Sequence, residues 1–319
     1  MMPSAKMHLT WLGGTLSVLL AANAVGAAGY EISLVTGEQR DPFYVTMADG
    51  AKAKAEELGV VLSWQAPTAW DATLQIPVIN AVLASKPQFL IAVPDGETAL
   101  IEPLRQFGDY DIPVLTVDTD VSDHSVRIGN ITSDNVVGGE LSAQELAKAV
   151  GESGKVVLLC TPPGITTGEA RRQGFEATIG KYPGIDYVGD EIYNGTDPTD
   201  AARVTNAILT READLAGMVA CDGPSGLGAA TAINESGKAG EIKLISFDAG
   251  PDLVAGLKAG TISALMIQQS YAIGATAVEY AVKYLDGDHD IPAQTLLPYI
   301  VGTKDNIDSP DLANNLGSN

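Results

Sequence analysis

Short runs of Val, Ile and Leu recur along the chain, separated by longer stretches whose apolar residues fall three and four apart. That alternation leaves few folds open. The runs are Ile32–Thr36, Val60–Trp64, Phe89–Val93, Val114–Val117, Val156–Cys160, Tyr187–Ile192, Gly217–Cys221 and Leu244–Phe247. Between them lie helix-period stretches such as Val45–Leu58, Thr73–Ala84, Leu141–Val150, Ala201–Leu209 and Gly226–Glu235. Strands that are apolar on both faces and alternate with helices build parallel sheets from right-handed β-α-β units. Asp71 and the Ser133-Asp134-Asn135 segment stand where helix caps belong. The series runs from Tyr30 to about Thr132 and then restarts, from Ser133 to Gln268. The expected fold is therefore α/β, with two similar doubly wound parallel-sheet lobes. No Pro/Gly/Ser-rich linker separates them, so several strand crossings should form the hinge. In such sheets a ligand lies beyond the carboxyl ends of the strands, which directs attention to Gly37–Tyr44, Asp118, Arg171, Asp222 and Asp248.

Upstream of the first strand, Lys6 and His8 precede an apolar stretch, Leu9–Ala22, and then small residues from Ala24 to Ala28. This is the layout of a secretory signal peptide over residues 1–28. Gly13, Gly14, Thr15, Ser17 and Asn23 dilute the run, which falls short of the roughly 20 apolar residues of a spanning helix. The mature chain is thus expected to be exported, soluble and periplasmic.

A formal charge of −21 excludes nucleic acid as a natural partner, because its backbone must be neutralised by Lys and Arg. Cys160 and Cys221 end two apolar runs, VVLLC and AGMVAC. Two buried free thiols are the plainer reading. If those runs are neighbouring strands, however, their ends can meet and oxidise in an exported protein. No Cys/His spacing suggests a metal site, and no cofactor motif is evident. Gly223-Pro-Ser-Gly226-Leu-Gly228 has the spacing of neither a dinucleotide fingerprint nor a P-loop, and close helix packing is expected of it.

Taken in order, several segments resemble the periplasmic sugar-binding proteins of the ribose/galactose type, the type I periplasmic binding proteins that feed ABC importers. They are Asp41-Pro-Phe-Tyr44 with Asp49-Gly50, Ile112-Pro-Val-Leu-Thr-Val-Asp118, Ile131-Thr-Ser-Asp-Asn135 with Gly138-Gly139, Arg171 with Gly174-Phe175, Ser246-Phe-Asp248, and Gln268. The resemblance implies an N-terminal lobe of residues 29–132 plus 269–295 and a C-terminal lobe of 133–268 plus 296–319. It also implies a monomer that presents a small neutral sugar or polyol to an inner-membrane ABC permease, or to a chemoreceptor, and that is not an enzyme. Phe43 and Tyr44 would cover the apolar face of the ligand. Asp41, Asp118, Asp222 and Asp248 would accept its hydroxyl protons, and Arg171 and Gln268 would donate to it. Arg172 is expected to be a solvated helix residue.

The chain departs from the ribose pattern in ways that bear on the ligand. Thr119 replaces an Arg, Asp41 replaces an Asn, Gly37 replaces a Ser, and Thr196 stands where the second lobe often supplies an aromatic. The site should be richer in carboxylates and poorer in rings, which suits a polyol or a small furanose. Trp70 can equally reach the cleft or pack elsewhere. A carbohydrate-active enzyme is the alternative class. None of the three His stands beside a nucleophile in an identifiable motif. A repressor of the same fold would need a basic helix-turn-helix at its start, where this chain carries a leader.

Overall fold

The computed structural model describes residues 29–192 and 197–317; the expected leader and Thr196 lie outside the described residues. Two six-stranded sheets share one strand order. The first carries β1 (Glu31–Val35), β2 (Val61–Gln65), β3 (Phe89–Ala92), β4 (Val114–Val117), β5 (Gly129–Ser133) and β11 (Thr295–Leu297), arranged β11-β5-β4-β3-β1-β2. The second carries β6 (Gly154–Cys160), β7 (Ile185–Ile192), β8 (Leu215–Ala220), β9 (Lys243–Phe247), β10 (Ile262–Ile267) and β12 (Ile300–Gly302), arranged β12-β10-β9-β8-β6-β7. All pairings are parallel except that of β10 with β12. The α/β expectation of two similar doubly wound lobes is what the chain forms.

Helices cover both faces of each sheet. In the first lobe, Ile32, Leu34, Phe89 and Ile91 pack against α1 (Pro42–Leu58) and α9 (Ser270–Leu285). Val35, Leu90, Ala92 and Val114 turn the other way, onto α2 (Ala72–Ser85) and α3 (Ile101–Gly108). This period-two division is what a strand buried on both sides requires. The second lobe repeats it with α4 (Asn135–Ala149) and α5 (Thr166–Ile179) on one face. Its other face is covered by α6 (Pro198–Arg211), α7 (Gly223–Glu235) and α8 (Pro251–Ala259). The expected caps are present: Asp71 accepts from Thr73 N, and Asp134 from Val137 N.

Reciprocal glycines set the closest helix pairs. A Cβ on Gly50 would lie 2.0 Å from the Tyr271 carbonyl oxygen, and one on Gly274 would lie 1.9 Å from that of Met47, which locks α1 to α9. Gly139 and Gly174 do the same between α4 and α5, at 2.0 Å from Arg171 O and 1.9 Å from Val136 O. Backbone cannot yield as a side-chain tip can, so Gly174→Ala is expected to destabilise the second lobe by about 2–3 kcal/mol. Equilibrium urea unfolding measures this, and an unchanged midpoint would show that α4 and α5 have room to separate. The Gly223–Gly228 run is likewise a packing device: a Cβ on Gly226 would overlap Ser246 Oγ and one on Gly228 would press on Pro198 O.

The chain passes between the sheets three times, after Ser133, after Ile267 and between Leu297 and Ile300. Hydrogen bonds tie these crossings together. Ser133 Oγ donates to Gln268 Oε1 at 2.7 Å, Asp134 N to Leu297 O at 2.9 Å, and Gln269 Nε2 to Pro298 O at 2.9 Å.

Two expectations need correction. Cys160 and Cys221 are not free thiols but a disulfide. They end the adjacent parallel strands β6 and β8, which hold their Cα atoms 4.9 Å apart, within the usual bridging range. Arg172 is not a freely solvated residue either: it is largely buried and pairs with Asp190 at 2.8 Å.

Candidate functional site

The carboxyl ends of both sheets face each other across one cleft. Asp118 follows β4 in the first lobe, and Asp248 follows β9 at the equivalent place in the second. Both are in the left-handed region, with φ of 62° and 69°, a conformation that Asp tolerates better than most residues but at some energetic cost. Each is pinned there by its own N–H, which donates to the neighbouring strand, Ile131 O at 2.8 Å and Met266 O at 3.0 Å. Strain of this kind collects where a side chain must be aimed at a target. Here it turns two buried carboxylates into the cleft from opposite sides.

Asp41 and Asp222 arrive by another route, as helix N-caps. Asp41 Oδ1 accepts from Phe43 N at 2.8 Å at the start of α1, and Asp222 Oδ1 accepts from Ser225 N at 2.8 Å in a capping box at the start of α7. Asp248 accepts from Gly223 N at 2.8 Å and from Gln268 Nε2 at 2.7 Å. Gln268 also accepts from Ser133, so it links the crossing segments to the site.

Arg171 projects from α5 and is 4% exposed, so its contacts fix its direction. Nε donates to Asn135 Oδ1 at 2.9 Å and Tyr299 Oη at 3.1 Å; Nη1 donates to Cys221 O at 2.6 Å. The guanidinium also lies 4.6 Å from the Phe247 ring centroid. All three acceptors are neutral. Burial works against the Arg171 charge, but Tyr299 and the carboxylates of Asp248, Asp118 and Asp222 outweigh it and hold its pKa above the ordinary value.

All eight residues picked out from the sequence line one small cavity of about 40 Å³ between the lobes: Asp41, Phe43, Tyr44, Asp118, Arg171, Asp222, Asp248 and Gln268. Trp70, Thr161, Ile165, Thr167, Gly168 and Pro224 complete its walls. Thr161 and Pro224 lie just beyond strand ends, where the strand-end rule could have found them. Ile165, Thr167 and Gly168 sit at the start of α5, a helix with little apolar periodicity to mark it in the sequence. Tyr44 is buried edge-to-face on Phe43, with its hydroxyl committed to Asp118 Oδ2 at 3.0 Å. A larger groove of about 300 Å³ adjoins the cavity and shares Asp41, Phe43, Pro224, Asp248 and Gln268 with it.

The cleft is shut. Across one rim, Glu97 N donates to Gly164 O at 3.3 Å and Asp120 N to Thr166 Oγ1 at 3.1 Å, each bond joining the two lobes. Across the other, Gly250 and Gly317 stand so close to Pro42 that a Cβ on either would lie 3.3 or 2.9 Å from its ring.

Closure of four carboxylates around one guanidinium has an electrostatic cost. Burial, followed by the neighbouring Asp248, pushes Asp41 up to about 8. Burial raises Asp118 to about 6 against the pull of Arg171 and the Tyr44 hydroxyl, and it raises Asp248 as well. A carboxyl whose pKa is raised on folding binds protons that the unfolded chain has released. Its contribution to stability is complete below the ordinary value of 3.8 and is lost as pH climbs through the raised value. The ligand-free protein is therefore expected to melt at lower temperature as pH rises from 5 to 9. Asn caps helices as well as Asp, so Asp41→Asn should flatten the upper part of that profile. Thermal melts across this range decide it; a midpoint that rises with pH would contradict the closed, carboxylate-rich cleft.

Comparison with known proteins agrees with this geometry. Residues 32–289 match the family model described as a periplasmic binding protein domain. The chain is 30% identical to the ribose import binding protein of Salmonella typhimurium over 277 residues, 86% of this chain and 90% of that protein. It is 29% identical over 269 residues to the D-apiose import binding protein of Actinobacillus succinogenes, covering 84% and 86% of the two chains. Among solved structures, an ABC transporter solute-binding protein from Agrobacterium vitis bound with α-D-tagatopyranose superposes with a TM-score of 0.88 at 34% identity, covering 91% of this chain and 100% of that one. A carbohydrate transporter solute-binding protein from Agrobacterium radiobacter, in complex with D-arabinose, gives 0.85 at 25% identity, covering 91% of this chain and 99% of that one. Two like-ordered sheets, three crossings and a polar cleft between them account for these similarities: the chain belongs to the periplasmic binding protein family.

Proposed function

We propose that this protein captures a small neutral sugar or polyol between its lobes and delivers it to an ABC importer of the inner membrane. One observation carries the reading: polar groups from both lobes, Asp118 and Asp41 on one side and Arg171, Asp222 and Asp248 on the other, converge on one cavity between the lobes. A polyhydroxylated ligand donates hydroxyl protons to the carboxylates and accepts from Arg171. It satisfies both sets at once only when the cleft is closed. The ligand then shifts the open–closed equilibrium by its differential affinity for the closed form, with the three crossings as hinge. The lobes that move are residues 29–133 with 268–297 and residues 134–267 with 298–317, parted at the three crossings. Four carboxylates against one guanidinium disfavour a sugar acid or sugar phosphate, since each like-charge pair costs roughly 1 kcal/mol even in high dielectric. The named ligands of the relatives, ribose, D-apiose, tagatose and D-arabinose, are neutral and of this size.

Export follows from residues 1–28 acting as a leader. No helix among the described residues is long and apolar enough to cross a membrane, which is in keeping with a carrier that works in the periplasm. Thermal-shift screening of the mature protein against pentoses, hexoses and alditols tests the proposal, because a ligand that binds only the native state raises the melting temperature. Product analysis of the same mixtures guards against the alternative. Turnover of any compound, or no shift across the whole panel, would sink the carrier reading.

A further inference from the structure

The first lobe contains a departure from the ribose pattern that the structure explains. Gly37 stands where the resemblance to the ribose type implies a Ser, and the Trp70 indole occupies the space a side chain there would need. A Cβ on Gly37 would lie 2.1 Å from Trp70 Cζ3 and 2.3 Å from Cε3. Gly37 is not in the left-handed region, so backbone freedom does not call for a glycine at this position. The indole does.

Trp70 lies nearly parallel to Tyr44, with centroids 5.8 Å apart and planes inclined by 14°. Tyr44 in turn meets Phe43 edge-to-face at 5.0 Å. Three rings thus form one wall of the cavity, ending beside Asp118. The Cε3–Cζ3 edge of the indole rests on Gly37, so the opposite edge, which carries Nε1, points away from that support. Nε1 is shielded from solvent and has no acceptor among the described residues. Leaving such a donor unmet is unfavourable. The contrast with Trp64 is instructive, since its Nε1 donates to Thr36 Oγ1 at 2.9 Å.

We infer that Gly37 and Trp70 form a specificity-determining pair: glycine makes room for the indole, and the indole closes the first-lobe wall and offers its N–H to a ligand oxygen. This rests on the sugar-carrier reading and refines it. The ring takes up space that a larger pyranose substituent would fill, and the N–H rewards a ligand with a ring or hydroxyl oxygen at that corner.

Calorimetric titration of the mature wild-type protein with D-ribose, D-arabinose, D-tagatose, D-fucose, D-allose, erythritol and xylitol comes first. If nothing in that panel binds, it is the carrier reading that fails. With the wild-type ranking in hand, Trp70→Phe, Trp70→Ala and Gly37→Ser are titrated alike. Trp70→Phe keeps an aromatic but removes the N–H and should weaken the preferred ligand about 2- to 12-fold, the worth of one neutral hydrogen bond. Trp70→Ala opens the corner and should reorder the panel toward bulkier sugars. Gly37→Ser should evict the indole and reproduce that reordering with Trp70 still in the sequence, so the test survives if Trp70→Ala does not fold. Affinities within twofold of wild type would overturn the inference. So would a parallel loss for every ligand with the ranking intact, which would mark Trp70 as packing only.

Discussion

Replacing Arg171 by Ala is expected to weaken ligand binding by at least about tenfold and to lower stability by about 3–5 kcal/mol, the usual consequence of removing one partner from a buried charge cluster. The binding loss alone should be about 1.5–3 kcal/mol for a charged hydrogen bond, and the damaged closed form adds to it. The stability loss has two sources. Asn135, Tyr299 and the Cys221 carbonyl lose their buried donor, and Asp118 and Asp248 lose the positive charge that opposes their desolvation. The second source gives the variant a signature. Without the guanidinium both carboxyls are pushed higher still, so acidification from pH 8 to pH 5 should rescue the melting temperature of Arg171→Ala more than that of wild type. Arg171→Lys keeps the charge but not the planar fork, and should fall between the two. Melts at both pH values with calorimetry against the best ligand would check this. Normal affinity and a normal melting temperature in Arg171→Ala would mean that the guanidinium is a bystander.

The second large effect concerns the disulfide. Cys160 and Cys221 are 61 residues apart in sequence, and constraining a loop of that length in the unfolded chain is worth about 4 kcal/mol in the chain-entropy model. The double variant Cys160→Ala/Cys221→Ala should therefore lose several kcal/mol, seen as a lower urea midpoint. The bridge also sits beneath the site. Cys221 supplies the carbonyl that holds Arg171 Nη1, and Asp222 and Thr161 are the residues that follow the two cysteines into the cavity wall. Affinity should accordingly fall several-fold even at temperatures where the variant is fully folded. A large stability loss with unaltered affinity would assign the bridge to the core alone.

How far the sequence could be read depended on how local each signal was. The eight apolar runs all became strands. The four strands outside that set, β5, β10, β11 and β12, all adjoin the lobe crossings. Two of them are only three residues long, and β5 reads Gly-Asn-Ile-Thr-Ser; β10 is separated from α8 by only Gly260 and Thr261, so its apolar residues blend into the helical pattern. Such strands depend on pairing that no local pattern reveals: β11 joins β5 from more than a hundred residues away, as Thr295 does with Ile131, and among the described residues β12 is held by β10 alone. The candidate site was legible for a related reason. Asp118, Asp222 and Asp248 each stand at the end of a strong strand signal, and the resemblance to sugar-binding proteins supplied the rest. The groups that hold Arg171 were not legible: Asn135 and Tyr299 are 164 positions apart and share one hydrogen bond of 2.7 Å.

By itself, then, the amino-acid order determined the doubled α/β architecture and the strand ends where chemistry had to gather, because periodicity and caps act over a few neighbouring residues. Only the tertiary structure decided that the two cysteines bond, that Trp70 turns inward over Gly37, and that four carboxylates crowd one guanidinium in a closed cleft. Those outcomes depend on which distant segments the packing brings together, and solvent exclusion at that meeting point changes what each group does.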